Sequence, residues 1–190
     1  EGRATHPGPH YPTDGAICAP RPLQGTSVPG SKTNGIPMWV AGGGERKTLR
    51  IAAEYADYTN FVGSPEGFAA KSEILRGHCD DVGRDFAEIV RSANYNVVIG
   101  STEADVRKRL GWIHDHYAAA GMPADVVEST VASFESGPLV GTPDQVVESL
   151  RELERLGMTY AITYFVEAAY DTTGLALFER EVMPEFVDRE

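Results

Sequence analysis

Only two cysteines occur in the 190 residues, Cys18 and Cys79, and they lie far apart. Neither a CxxC pair, a zinc spacing nor a disulfide framework can be built from them, so each reads as a reduced, inert thiol. No apolar run approaches the length of a membrane span, and no secretory signal is visible. A cytoplasmic protein with no membrane partner is the expectation. Basic residues are scarce: 17 Lys and Arg stand against 28 Asp and Glu, for a net charge of −11. The acidic residues are scattered, with no run of five or more like charges. Nucleic acid is thereby excluded as a partner, because phosphate-backbone binding needs a basic footprint. A small phosphorylated ligand stays compatible, since one local positive pocket suffices for it. His114 and His116, two apart on a predicted helix, point to different faces, and no metal site is expected. The chain opens on Glu1 rather than Met, so its natural start is expected upstream.

What is present is ordinary in bulk, 42% hydrophobic and 24% charged, as for a globular domain. The most informative stretch is Pro37 to Arg50. Met38, Trp39, Val40 and Ala41 form the short apolar run of a strand covered on both faces. Gly42, Gly43 and Gly44 remove every Cβ where the chain must turn and where a ligand can approach the backbone. Leu49, Ala52, Ala53 and Ala56 then recur at helical spacing. Free N–H groups at a helix start, with the positive end of its dipole, form a natural phosphate site. A tight turn whose glycines serve only close packing fits the same residues, and both readings stand.

Residues 1–36 hold six prolines and six glycines and read as a loop or small hairpin. From Pro37 onward strand and helix alternate: strand 37–42 and helix 45–56, strand 57–62 and a helix from Pro65 to about Cys79, an extended region near 88–99 and helix 103–120. A less regular stretch, 122–141, precedes helix 143–156. There Thr142 caps, Pro143 takes the first position and Gln145 closes a capping box. A fourth strand from Tyr160 to Val166 leads to a last helix, 174–186. Such alternation implies parallel strands with right-handed crossovers, hence an α/β fold. Four βα units are half of a closed eight-stranded barrel, and alone they leave two strand edges open.

The stretch Pro37-Met-Trp-Val-Ala-Gly-Gly-Gly-Glu-Arg-Lys-Thr-Leu-Arg50 and the following Ala53-Glu-Tyr-Ala-Asp57 resemble the C-terminal half of the luciferase-like monooxygenases. That family is built on a (β/α)₈ TIM barrel and uses flavin or deazaflavin. Pro20-Arg-Pro-Leu-Gln24, Gly141-Thr-Pro-Asp-Gln-Val-Val-Glu148, Leu177-Phe178 and Met183-Pro184 are similar to the family pattern in the same order. The resemblance implies that the four strands are strands 5 to 8 of a TIM barrel formed by 37–190, with 1–36 an insertion before the fifth. It implies a cofactor phosphate on the loop of Gly42, Gly43, Gly44 and Glu45. The branch most resembled uses coenzyme F420, which implies an oxidoreductase moving hydride between the deazaflavin and a small-molecule substrate.

Arg46, Lys47 and Thr48 occupy the first turn after the glycines. Cations at a helix N-terminus are slightly unfavourable to the dipole, which hints at an anion to be met; pointing to solvent is the alternative. Asn60, toward the C-terminal end of its strand, is read either as a cofactor or substrate contact or as a loop contact. Glu167 is a weaker acid–base candidate, and no catalytic residue is assigned. Trp39 and Trp112 are read as packing residues. An FMN-dependent monooxygenase remains open, because both cofactors carry a phosphate on a ribityl chain. So does a non-catalytic remnant that binds cofactor weakly or acts in assembly. Open strand edges lead to the expectation of a homo-oligomer or of pairing with the absent N-terminal half.

Overall fold

In the computed structural model the described residues are 3–17, 19–20, 36–61 and 63–187. Cys18, Val62 and the portion of the Pro20-to-Gln24 segment beyond Pro20 lie outside them. Two short strands, β1 (Ala4–His6) and β2 (Thr13–Ala16), pair antiparallel within the region read as loop or hairpin.

The main body is a parallel sheet of β3 (Trp39–Ala41), β4 (Tyr58–Asn60), β5 (Val90–Asn96) and β8 (Tyr160–Tyr164), in the order β3-β4-β5-β8. Just past β5, β6 (Val98–Ile99) pairs in parallel with β7 (Val140–Gly141). Registry runs Ala41↔Asn60↔Ser92↔Tyr160, then Asn94↔Ile162 and Asn96↔Tyr164. Neighbours in register share a face, so these side chains line one surface, while Val40, Thr59, Arg91, Ala93 and Tyr95 face the other.

Helices cover that other surface: α1 (Thr48–Tyr55), α2 (Pro65–Val82) and α5 (Pro143–Arg155). Their apolar stripes, among them Leu49, Ala52, Phe68, Leu75, Val146 and Leu153, merge with Ala93 and Val97 in one buried core. Arg84, itself buried, donates to the Ala52 and Ala53 carbonyls at 3.4 and 3.2 Å, a second bond for Ala52, which also accepts from Ala56 N–H, and so ties the end of α1 to the turn after α2. A second cluster joins Val98, Val106, Leu110, Ile113 and Phe134 between α3 (Glu103–Ala119) and α4 (Ala124–Glu135). A last helix, α6 (Thr173–Glu181), runs into a short turn at Met183–Glu185.

Two differences from the sequence reading have plain causes. Helix α4 occupies a stretch read as irregular; it buries only Val127 and Phe134 and starts on Pro123 with no side-chain cap, so both usual helix signals are faint. Trp39 is not core packing. It is 42% exposed and stacks on Tyr58 at 4.7 Å with Tyr160 edge-on at 5.6 Å. Period-2 geometry puts Trp39 opposite Val40, onto the surface that no helix among the described residues covers. The expectation that β3 is buried on both faces therefore fails within this chain.

Phe68 is fully buried and packs on Phe61 with ring centroids 5.0 Å apart. Phe68→Ala should cost about 3–5 kcal/mol in a urea unfolding titration, and a loss below about 1 kcal/mol would contradict this placement of the core.

Candidate functional site

Strand β3 ends at Ala41 and the chain turns through Gly42, whose φ of +114° is a conformation that residues with side chains rarely adopt. Gly42 N–H donates to the Asn60 carbonyl at 2.7 Å, which ties the turn to the end of β4. The N–H groups of Gly43, Gly44, Glu45, Arg46 and Lys47 then make no hydrogen bond among the described residues. Helix α1 follows with neither a side-chain cap nor an acid in its first turn. Helices α2 and α3 have both: Ser64 with Glu66, and Thr102 with Glu103 and Asp105. The start of α1 therefore presents free donors and an unneutralised positive end toward an open depression of about 810 Å³ bordered by Gly44, Glu45, Arg46 and Lys47.

The side chains around this loop divide. Arg46 and Lys47 are exposed and form no ion pair among the described residues. Thr48 folds back on Gly44, where an added Cβ would come within 2.7 Å of Thr48 Oγ1. Glu45 points to α2, its carboxylate accepting from Lys71 Nζ at 2.7 Å. His78 Nε2 lies 2.7 Å from the Glu45 carbonyl. A carbonyl only accepts, so Nε2 carries the proton. Lys71 and His78 thus brace the loop from a neighbouring helix. Sequence reasoning missed Lys71, because nothing local to α2 marks which of its cations reaches back across the turn.

Asn60 contributes twice. Its carbonyl holds Gly42, and its Nδ2 donates to Ser92 Oγ at 3.0 Å and Asn94 Oδ1 at 2.9 Å. Ser92 Oγ in turn donates to the Thr59 carbonyl. The polar alternation Ser92, Asn94, Asn96 along β5 is the signal that a sequence reading could have used. Asp57 and Thr59 face away from this row and stitch β3 to β4: Met38 N–H donates to Asp57 Oδ2 at 2.7 Å, and Thr59 Oγ1 donates to the Val40 carbonyl at 2.9 Å.

Glu167 is not brought to the glycine loop. It is 3% exposed in the turn after β8 and pairs with Arg109 of α3 at 2.9 Å, while Arg109 also donates to Thr173 Oγ1. These groups border a separate cavity of about 480 Å³ between α3 and α6. Hydrogen bonds from Thr173 hold the Asp171 carboxyl there below its ordinary range. Trp112 stacks on His116 nearby at 4.8 Å. Among the described residues no group of three or more His, Cys, Asp or Glu is placed to hold a metal ion. No helix among them is long and apolar enough to cross a membrane.

A row of parallel βα units with a glycine loop and a bare helix start at the C-terminal rim defines an α/β protein with its candidate site at the strand ends. Comparison supplies the family. The luciferase-like monooxygenase family matches over residues 1–160, and the chain belongs to it. A ketoreductase of phthiodiolone and phenolphthiodiolone dimycocerosates from Mycobacterium sp. (strain JLS) is 37% identical over 75 residues, 38% of this chain and 20% of that protein. The coenzyme F420-dependent tetrahydromethanopterin reductase of Methanopyrus kandleri superposes with a TM-score of 0.69 at 19% identity, over 96% of this chain and 58% of its own. A riboflavin lyase, solved with modified FMN and riboflavin, gives 0.67 at 16% identity, over 96% and 48%. The chain thus spans about half the length of these two structural relatives. The fold is a partial luciferase-like barrel, and the family and its neighbours are oxidoreductases and monooxygenases.

Lys71 holds the Glu45 carboxyl below its ordinary 4.5, by hydrogen bond first and charge second. A depressed carboxyl contributes stability above its unfolded value and loses it as pH falls through the folded one, so the brace opens only in acid below about 4.5. Lys71→Met should return Glu45 to the ordinary carboxylate range, read by carbon-13 NMR of its side chain. An unmoved titration would contradict the contact.

Proposed function

We propose that this chain supplies the phosphate-binding half of an F420-dependent oxidoreductase of the luciferase-like class. In this reading 37–190 form strands 5 to 8 of the barrel, with 1–36 as an insertion before them. The observation that carries it is the row of unbonded N–H groups from Gly43 to Lys47 at the bare start of α1. Backbone donors left unpaired, next to an Arg46 with no ion pair among the described residues, suit a phosphate ester and little else of this size. Gly42, Gly43 and Gly44 would bring the backbone close to the phosphate, Glu45 would hold the loop through Lys71, and Thr48 would back Gly44.

The deazaflavin supplies hydride chemistry when bound; the chain's own residues bind, orient and exclude water. Fixing the phosphate fixes the register of the ring over the strand ends, where Asn60 and Asn94 stand. The glycine loop fits the phosphate of FMN equally well, and a relative solved with modified FMN keeps that cofactor as the second reading. The substrate is read as a small organic molecule. The uncovered surface with Trp39, Tyr58 and Tyr160 supports association, either with the N-terminal half of the barrel or with a second copy of the chain.

The test is a titration of the chain with F420 and with FMN, followed by cofactor fluorescence. Saturable binding of one chooses the cofactor. Gly44→Val, which forces a Cβ against Thr48, should weaken that binding about tenfold or more while the thermal melt stays cooperative. Unchanged affinity in that variant would remove the loop from the phosphate site.

A further inference from the structure

Glu45 is held twice, and the two holds differ. His78 Nε2 donates to its backbone carbonyl at 2.7 Å, and Lys71 Nζ donates to its carboxylate at 2.7 Å. The first fixes the backbone of the loop. The second fixes only a side chain that is 57% exposed, and an ion pair so open to water contributes little. The carboxylate is also out of character with its place. It belongs to a residue bordering the depression at the free N–H groups of Gly43 to Lys47, so an anion bound there meets a negative charge.

Lys71 is better placed than its neighbours to answer that anion. Its stem lies along bare Gly43, where an added Cβ would stand 3.4 Å from Lys71 Cε and 3.8 Å from Cδ. Its side chain is 23% exposed, whereas Arg46 and Lys47 are exposed residues. The fold has therefore already restricted its rotamers, while Arg46 and Lys47 would lose that freedom on binding. An ammonium has three N–H donors, and among the described residues it makes one bond, to Glu45. The start of α1 supplies about half a positive charge, less than a phosphate ester carries, so a full cation is needed to balance it.

We infer that Lys71 binds the cofactor phosphate, and that the Glu45 carboxylate occupies Lys71 only while the site is empty. A phosphate engages the loop N–H groups and Lys71 together, which the Glu45 carboxylate does not, and so it displaces that carboxylate. Glu45 then turns to water, as its exposure already allows, and His78 keeps the loop backbone in place. The inference rests on the reading of the glycine loop as the phosphate site, and it adds the counter-ion of that site.

The experiment is a fluorescence titration of the purified 190-residue chain with two pairs of probes. FMN is set against riboflavin, which lacks the phosphate, and F420 against its phosphate-free deazariboflavin core. Lys71→Met should weaken the phosphorylated member about tenfold and leave the phosphate-free member unchanged. Glu45→Ala should tighten the phosphorylated member about two- to fivefold, because a competing carboxylate is gone. A lysine that only braces the loop predicts the opposite sign, a loss in Glu45→Ala to match that in Lys71→Met. Saturating the unmutated chain should also raise the Glu45 carboxyl toward its ordinary range, read by carbon-13 NMR. Full phosphate-dependent affinity in Lys71→Met, unchanged or weakened affinity in Glu45→Ala, or a Glu45 titration unmoved at saturation would overturn the inference and leave the phosphate loop standing. Equal binding within each pair by the unmutated chain, or binding of none of the four, would remove the loop as a phosphate site and this inference with it.

Discussion

Parallel pairing of β3, β4, β5 and β8 sends every strand end to one rim, and the placement of each candidate group follows from it. Because Ala41, Asn60 and Ser92 stand in register, the turn that leaves β3 emerges beside the ends of β4 and β5. The bond from Gly42 N–H to the Asn60 carbonyl fixes that adjacency, and Gly42 is free to make it only because its φ of +114° costs glycine little. A slip of one residue between β3 and β4 would reverse which side chains face the helices. With β3 as the strand that moves, Val40 would leave the core, Trp39 would enter it, and Gly42 would be drawn off the Asn60 carbonyl.

Helix α1 is short and starts without a cap, so its stability has to come from packing. Leu49, Ala52 and Ala53 are fully buried, and Arg84 donates to carbonyls at its far end. With the C-terminal side and the buried face secured, the N-terminal N–H groups can stay unpaired. Lys71 and His78 hold the loop from α2 by gripping Glu45, not by occupying those donors. The result is a loop braced at Glu45 whose backbone donors remain available, an arrangement that favours binding over further stability.

Much of this was legible because the signals are local. Thr102, and Thr142 with Pro143 and Gln145, mark α3 and α5 by capping chemistry that acts within three residues. Alternating apolar runs and helical stripes gave four parallel strands and the glycine turn. The misses are the features that need long-range geometry. Lys71 meets Glu45 across 26 residues, and Asn94 meets Asn60 across 34. Helix α4 was obscured because little of it is buried. Trp39 was misread because a tryptophan in an apolar run normally packs in a core, whereas here alternation turns it onto an uncovered face with Tyr58.

The central claim is that the backbone from Gly43 to Lys47 holds the cofactor phosphate. The direct measurement is a nitrogen-15 amide spectrum of the chain recorded while FMN or F420 is added. The account predicts that the largest shifts fall on the amides of Gly43, Gly44 and Glu45, with Lys108 and Arg109 unmoved. Shifts confined to the cavity around Lys108, Arg109 and Arg180, with the glycine amides unchanged, would contradict it.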